Sequence, residues 1–89
     1  MEMQPDEIKN QLKAFFKREF QNVDIELTES THLLDEWFVD SFGIVNTTLF
    51  IEEYFDIAMS RADINASNFR SIETLAQFVA GQLKKTDAK

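Results

Sequence analysis

The stretch Val39-Asp40-Ser41-Phe42-Gly43-Ile44-Val45-Asn46-Thr47-Thr48-Leu49-Phe50-Ile51-Glu52-Glu53-Tyr54-Phe55 carries a helix together with its start signal. Asp40 is a good N-cap, able to accept from the backbone N–H of Phe42 or Gly43, and a helix follows from Ser41 to about Phe55. Its apolar side chains form two lines. Ile44, Thr48, Ile51 and Phe55 recur at spacings of four, three and four. Phe42, Val45 and Leu49 recur at three and four, with Glu52 and Glu53 beyond them. One line can enter a core, and the other is left as a docking surface beside acids. Helical spacing alone does not say which is which.

Upstream, Pro5 suits a first helical position, Asp6 and Glu7 favour the positive end of a helix, and Lys17 and Arg18 the negative end. Ile8, Leu12, Phe15, Phe16 and Phe20 share one face, which predicts a first helix over roughly residues 5–20. Residues 21–39 mix polar turn formers with scattered apolar side chains and read as a long ordered loop. A loop of that length needs a reason, either pinning by its apolar residues or a function. Downstream, residues 57–64 form a connector with little pattern. Asn65 can cap one short helical turn, Ala66 to Phe69. Ser71 can cap a last helix whose Ile72, Leu75, Ala76, Val79 and Leu83 share a face, ending near Lys84 and Lys85. The expectation is an all-α fold of three longer helices and one short one, in a single domain over 1–89 with a core at about 5–84 and a frayed tail at 85–89.

Composition sets the limits on function. The chain has 89 residues, a net charge of −7, nine Phe, two Gly, one Pro and no Cys. Its acidity argues against nucleic acid. Without Cys there is no disulfide framework, thiolate zinc site or cysteine nucleophile. From Glu19 to Glu73 twelve carboxylates face only Arg61 and Arg70, so this middle part carries −10 while both ends are weakly basic. Such a field attracts basic partners and weakens with salt. The start of the chain lacks a basic n-region and an apolar h-region, and no apolar run is long enough to span a bilayer, so a cytoplasmic monomer without membrane insertion is expected.

Ordinary catalytic signatures are nearly missing. His32 is the one histidine. It lies in the long loop, where a solvated or hydrogen-bonding role is the natural reading. Asp35, Glu36 and Asp40 lack the alternating ligands and central Gly of a calcium loop, so no metal site is expected. Gly43 and Gly81 are isolated, so there is no phosphate-cradling loop. What remains is Ser41, placed at the positive end of a helix where a phosphate ester is favoured by about 0.3–1 kcal/mol at an exposed site. On position alone Asp40-Ser41 is also a plain helix cap.

The run Val39 to Val45, with Glu52-Glu53-Tyr54-Phe55-Asp56-Ile57 after it, resembles the acyl carrier protein family around its Asp-Ser-Leu attachment motif. Leu33-Leu34-Asp35 resembles the family's approach to its second helix, and Asn68-Phe69-Arg70-Ser71-Ile72 with Leu75, Phe78 and Val79 resembles its ending. The likeness covers roughly residues 5–84, in order. It implies a four-helix acyl-carrier-like bundle with a long loop between helices one and two. It also implies 4′-phosphopantetheine, taken from coenzyme A by a phosphopantetheinyl transferase and attached to Ser41, with Asp40 helping to present the serine. Acyl or aminoacyl groups would then ride on the arm as thioesters, in fatty-acid, polyketide, nonribosomal peptide or related biosynthesis. The chain would be no enzyme itself but a substrate for an acyl- or aminoacyl-activating ligase and for condensing or acyltransferase enzymes. By position, Phe42, Val45, Leu49, Glu52 and Glu53 would meet those partners.

Three departures stand out. Phe42 occupies the usual Leu position, Gly43 stands where fatty-acid carriers tend to have an acid, and Asn46 where many have Glu. The recognition stripe is thinned of charge, which suggests a stand-alone carrier for a specialised pathway. Gly43 also costs its helix up to about 1 kcal/mol relative to Ala. The reading from a different class is an acidic helical protein–protein interaction domain that never receives a prosthetic group.

Overall fold

Pro5 has no N–H to leave unpaired at a helix start, and it opens α1, Pro5–Glu19, with Asp6 and Glu7 in the first turn and Lys17 and Arg18 in the last. Ile8, Leu12, Phe15 and Phe16 are buried along one face, and the Phe20 N–H closes the helix on the Phe16 carbonyl. The computed structural model describes residues 4–20, 26–34 and 41–87. Among these the chain is all-helical, without strands: α1 is followed by α2, Ser41–Phe55, and α3, Ile72–Asp87.

Helix α3 packs chiefly on α1 and more lightly on α2. Ile72, Leu75, Ala76 and Val79 supply its buried face, as the spacing predicts. An aromatic contact joins α1 to α2, with Phe15 stacked on Phe50 at 4.4 Å between centroids, and within α2 Phe50 meets Phe55 edge-on. Ser71 caps α3 as expected. The Thr74 N–H donates to the Ser71 hydroxyl and the Ser71 N–H to the Thr74 hydroxyl, satisfying two backbone donors that the helix cannot. The helix runs to Asp87, beyond the expected end near Lys85.

The long loop is pinned where it is described. Leu27 and Leu33 enter the core, and the buried Thr31 hydroxyl accepts from the Thr28 N–H and donates to the Glu26 carbonyl. Two backbone bonds tie the segment to the start of α3: Leu33 N–H to the Arg70 carbonyl at 2.8 Å, and Glu73 N–H to the Glu29 carbonyl at 3.0 Å. The second uses one of the orphan N–H groups of the α3 first turn.

The fourth, short helix expected at Ala66–Phe69 is not an α-helix. Asn65 does cap it: its side-chain oxygen accepts from the Asn68 N–H, and the Phe69 N–H reaches the Asn65 carbonyl. The turn stops there because the Asn68 carbonyl accepts from the Thr74 hydroxyl and the Asn68 side chain donates to Asp63. Among the described residues the one short helical element is a 3₁₀ turn one step earlier, Arg61–Asp63, where the Asp63 carboxylate accepts from both the N–H and the hydroxyl of Ser60.

Candidate functional site

Helix α2 begins at Ser41 and is the least polar of the three, with no basic residue and, among the described residues, no acid in its first turn. Asp40 and the Ser41 side chain lie outside the described residues, as do Asp35 and Glu36. What the structure does resolve is which apolar line faces inward. Thr48, Ile51 and Phe55 are buried and Ile44 half-buried, so their line enters the core. Phe42, Val45 and Leu49 are 80%, 55% and 51% exposed, and form the outward line.

The two acids beyond that line are not equivalent. Glu53 is exposed. Glu52 is half-buried, and its carboxylate accepts from the Met59 N–H at 3.0 Å, which uses it to hold the connector after α2. Of the two acids expected to meet partners, one is therefore engaged within the fold. Gly43 and Thr47 are buried on the inward side, and the hydroxyls of Thr47 and Thr48 donate back to the carbonyls of Gly43 and Ile44 at 2.7 and 2.8 Å. These bonds let polar side chains sit against the core without an unpaired hydroxyl.

Beside the start of α2 the structure holds a hollow that spacing could not reveal. Leu34, Ile44, Ile64, Asn65, Ala66 and Phe69 enclose about 160 Å³ between α2 and the connector that follows the 3₁₀ turn. Its walls come from three separate segments, so only the folded chain assembles it. A second, more open hollow of about 310 Å³ adjoins it, lined by His32, Leu34, Ala66, Ser67 and Arg70. There His32 takes the hydrogen-bonding role expected of it: its Nε2 accepts from Arg70 Nε at 3.2 Å across 38 positions of sequence. A groove of about 380 Å³ between α1 and α3 lies elsewhere, lined by Pro5, Lys9, Ala76, Gln77, Ala80, Gly81 and Lys84.

Lys9 and Glu29 form an ion pair at 2.6 Å. Their mutual hydrogen bond raises the Lys9 pKa above the ordinary lysine value and lowers that of Glu29 below the ordinary carboxylate value. Among the described residues no group of three or more His, Asp or Glu side chains could hold a metal ion, and no helix is long and apolar enough to cross a membrane. No model of a known protein family matches the chain, and no curated protein matches it, so a functional reading must rest on its own residues.

Proposed function

We propose that this chain is an acyl carrier protein, modified at Ser41 by 4′-phosphopantetheine from coenzyme A. The observation that carries the reading is a helix that begins at Ser41 and turns an apolar line, Phe42, Val45 and Leu49, out to solvent while a hollow opens beside its first turns at Ile44. The all-helical fold and the family-like runs around Leu33, Ser41 and Phe69 agree with it. When bound, the prosthetic group supplies a terminal thiol that forms thioesters, chemistry the cysteine-free chain has no group for.

The chain's own residues present and shelter. Backbone N–H groups of the α2 first turn favour a phosphate at Ser41. The Phe42, Val45 and Leu49 line, with Glu53 at its far end, meets the transferase, the activating ligase and the condensing or acyltransferase enzymes. Leu34, Ile44 and Phe69 offer apolar cover to a short cargo near the serine. The chain needs no catalytic group for this, because bond making and breaking belong to those partners.

Incubation with coenzyme A and a broad-specificity phosphopantetheinyl transferase should add the mass of one phosphopantetheine, and Ser41→Ala should abolish the gain. The exposure of Phe42 also fits an interaction domain without a prosthetic group, in which those three side chains fill a partner's groove. No mass gain with a transferase that modifies a control carrier favours that second reading.

A further inference from the structure

Leu34 and Ala66 each line two hollows, so the two lie side by side, as a groove in which this common wall stands between chemically different ends. The end beside α2 is apolar, walled by Leu34, Ile44, Ile64 and Phe69. The other end reaches Arg70 and His32. Arg70 is one of only two cations between Glu19 and Glu73, and it stands on the groove.

Arg70 is held at two points, once through its guanidinium and once through its backbone. Its Nε donates to His32 Nε2, and the backbone carbonyl of the same residue accepts from the Leu33 N–H. With Nε committed, the remaining donors of the fork are those of the two terminal nitrogens, whose parallel N–H bonds match the two oxygens of a carboxylate. In a field that is otherwise strongly acidic, a carboxylate is repelled from most of the surrounding surface and has one favourable landing point here. A purely alkyl chain would fill the apolar end and leave the terminal nitrogens of Arg70 without an anion to pair with. We propose that the groove takes a short acyl group that ends in a carboxylate, its methylenes lying on Leu34, Ile44 and Phe69 and its carboxylate pairing with Arg70. This proposal rests on the carrier reading. His32 acts as a positioning residue that orients the guanidinium.

Because the chain has no cysteine, Ser41→Cys installs a unique thiol at the start of α2. Alkylation of that thiol attaches a test group without any transferase. Two iodoacetamide-linked arms of pantetheine length are compared, one ending in a glutarate-type carboxylate and the other in its methyl ester, with the Arg70 Nε–H and the Leu34 and Ile44 amides followed by NMR. The expected result is a shift of the Arg70 Nε–H with the carboxylate arm and its loss with the ester. Arg70→Gln in the tethered protein should remove the difference between the arms at Leu34 and Ile44. Identical spectra for the two arms overturn the proposal and assign the His32–Arg70 bond to tying two segments together. Failure of the carrier reading shows separately, as no mass gain of the wild-type chain with coenzyme A and transferase, and it would remove the acyl cargo even if Arg70 bound the carboxylate arm.

Discussion

Asp56 adopts φ 55°, the left-handed conformation that ends a helix, immediately after the last residue of α2. A residue with a Cβ pays for that conformation, less so when it is Asp or Asn than for most others. Asp56→Gly should therefore raise the unfolding free energy by up to about 1 kcal/mol, read as a later urea midpoint with an unchanged slope. Leu33 makes the opposite case. It is buried although it lies in a loop, and Leu33→Ala should cost about 2–5 kcal/mol, as a core truncation does. A cost within about 0.5 kcal/mol, the size of an ordinary surface change, would mean that the loop is not pinned by this side chain. Composition and spacing supply the apolar character of Leu33 but not its partners, since its N–H bonds to the Arg70 carbonyl and its loop is tied again through Glu29 to Glu73, both far along the chain.

At the scale of elements, α2 separates into two faces with different expected responses. Ile51→Ala should destabilise by about 2–5 kcal/mol, because Ile51 is fully buried. Val45→Ala and Leu49→Ala should leave stability within about 0.5 kcal/mol while lowering kcat/KM for modification by a transferase. If Leu49→Ala unfolds the protein as readily as Ile51→Ala, the assignment of the outward face fails. Both lines were visible as spacings. The choice between them was not, because a helix with apolar residues on two sides has no preferred orientation until α1 and α3 supply the aromatic and aliphatic surface that one side packs on. The turn expected at 66–69 is present but stops short of a helix, for a related reason. Asn65 carries a genuine cap signal, but the bonds that stop the turn come from Thr74 and Asp63, outside the local pattern.

The link between the long loop and α1 is electrostatic as well as apolar. Glu29 has its folded pKa lowered by Lys9, so its contribution to stability is present above the ordinary carboxylate pKa and is lost as pH falls through the folded value. Lys9 has its pKa raised, so its contribution is present below the ordinary lysine value and is lost as pH rises through the folded one. Thermal midpoints of the wild type and Glu29→Gln should thus differ most near neutral pH and converge in acid. The pair is open to solvent on the Glu29 side, and the difference should also shrink with added salt. A difference that persists unchanged in acid would exclude this pair as its source.

For the whole molecule, the net charge of −7 conceals a middle part at −10, and α2 lies inside that part while its own outward face carries little charge. Under the proposed carrier function, long-range attraction and close contact are divided: the field would speed encounter with basic enzymes, and Phe42, Val45 and Leu49 would supply the area that holds them. Transferase modification should lose on-rate with rising salt while the effect of Leu49→Ala stays nearly constant, since apolar burial is not screened. The helical class and the position of Ser41 at a helix start were legible from the chain alone. The two adjacent hollows, one reaching Ile44 and the other Arg70, were not, because they exist only where distant segments meet.

The central claim concerns one atom, the hydroxyl oxygen of Ser41. Trypsin cleaves after Arg18 and Arg61 and leaves that serine in the peptide that runs from Glu19 to Arg61. After incubation with coenzyme A and a broad-specificity transferase, this peptide should carry one added phosphopantetheine, with fragmentation placing it on Ser41. An unmodified peptide, alongside a control carrier modified to completion in the same tube, would contradict the account.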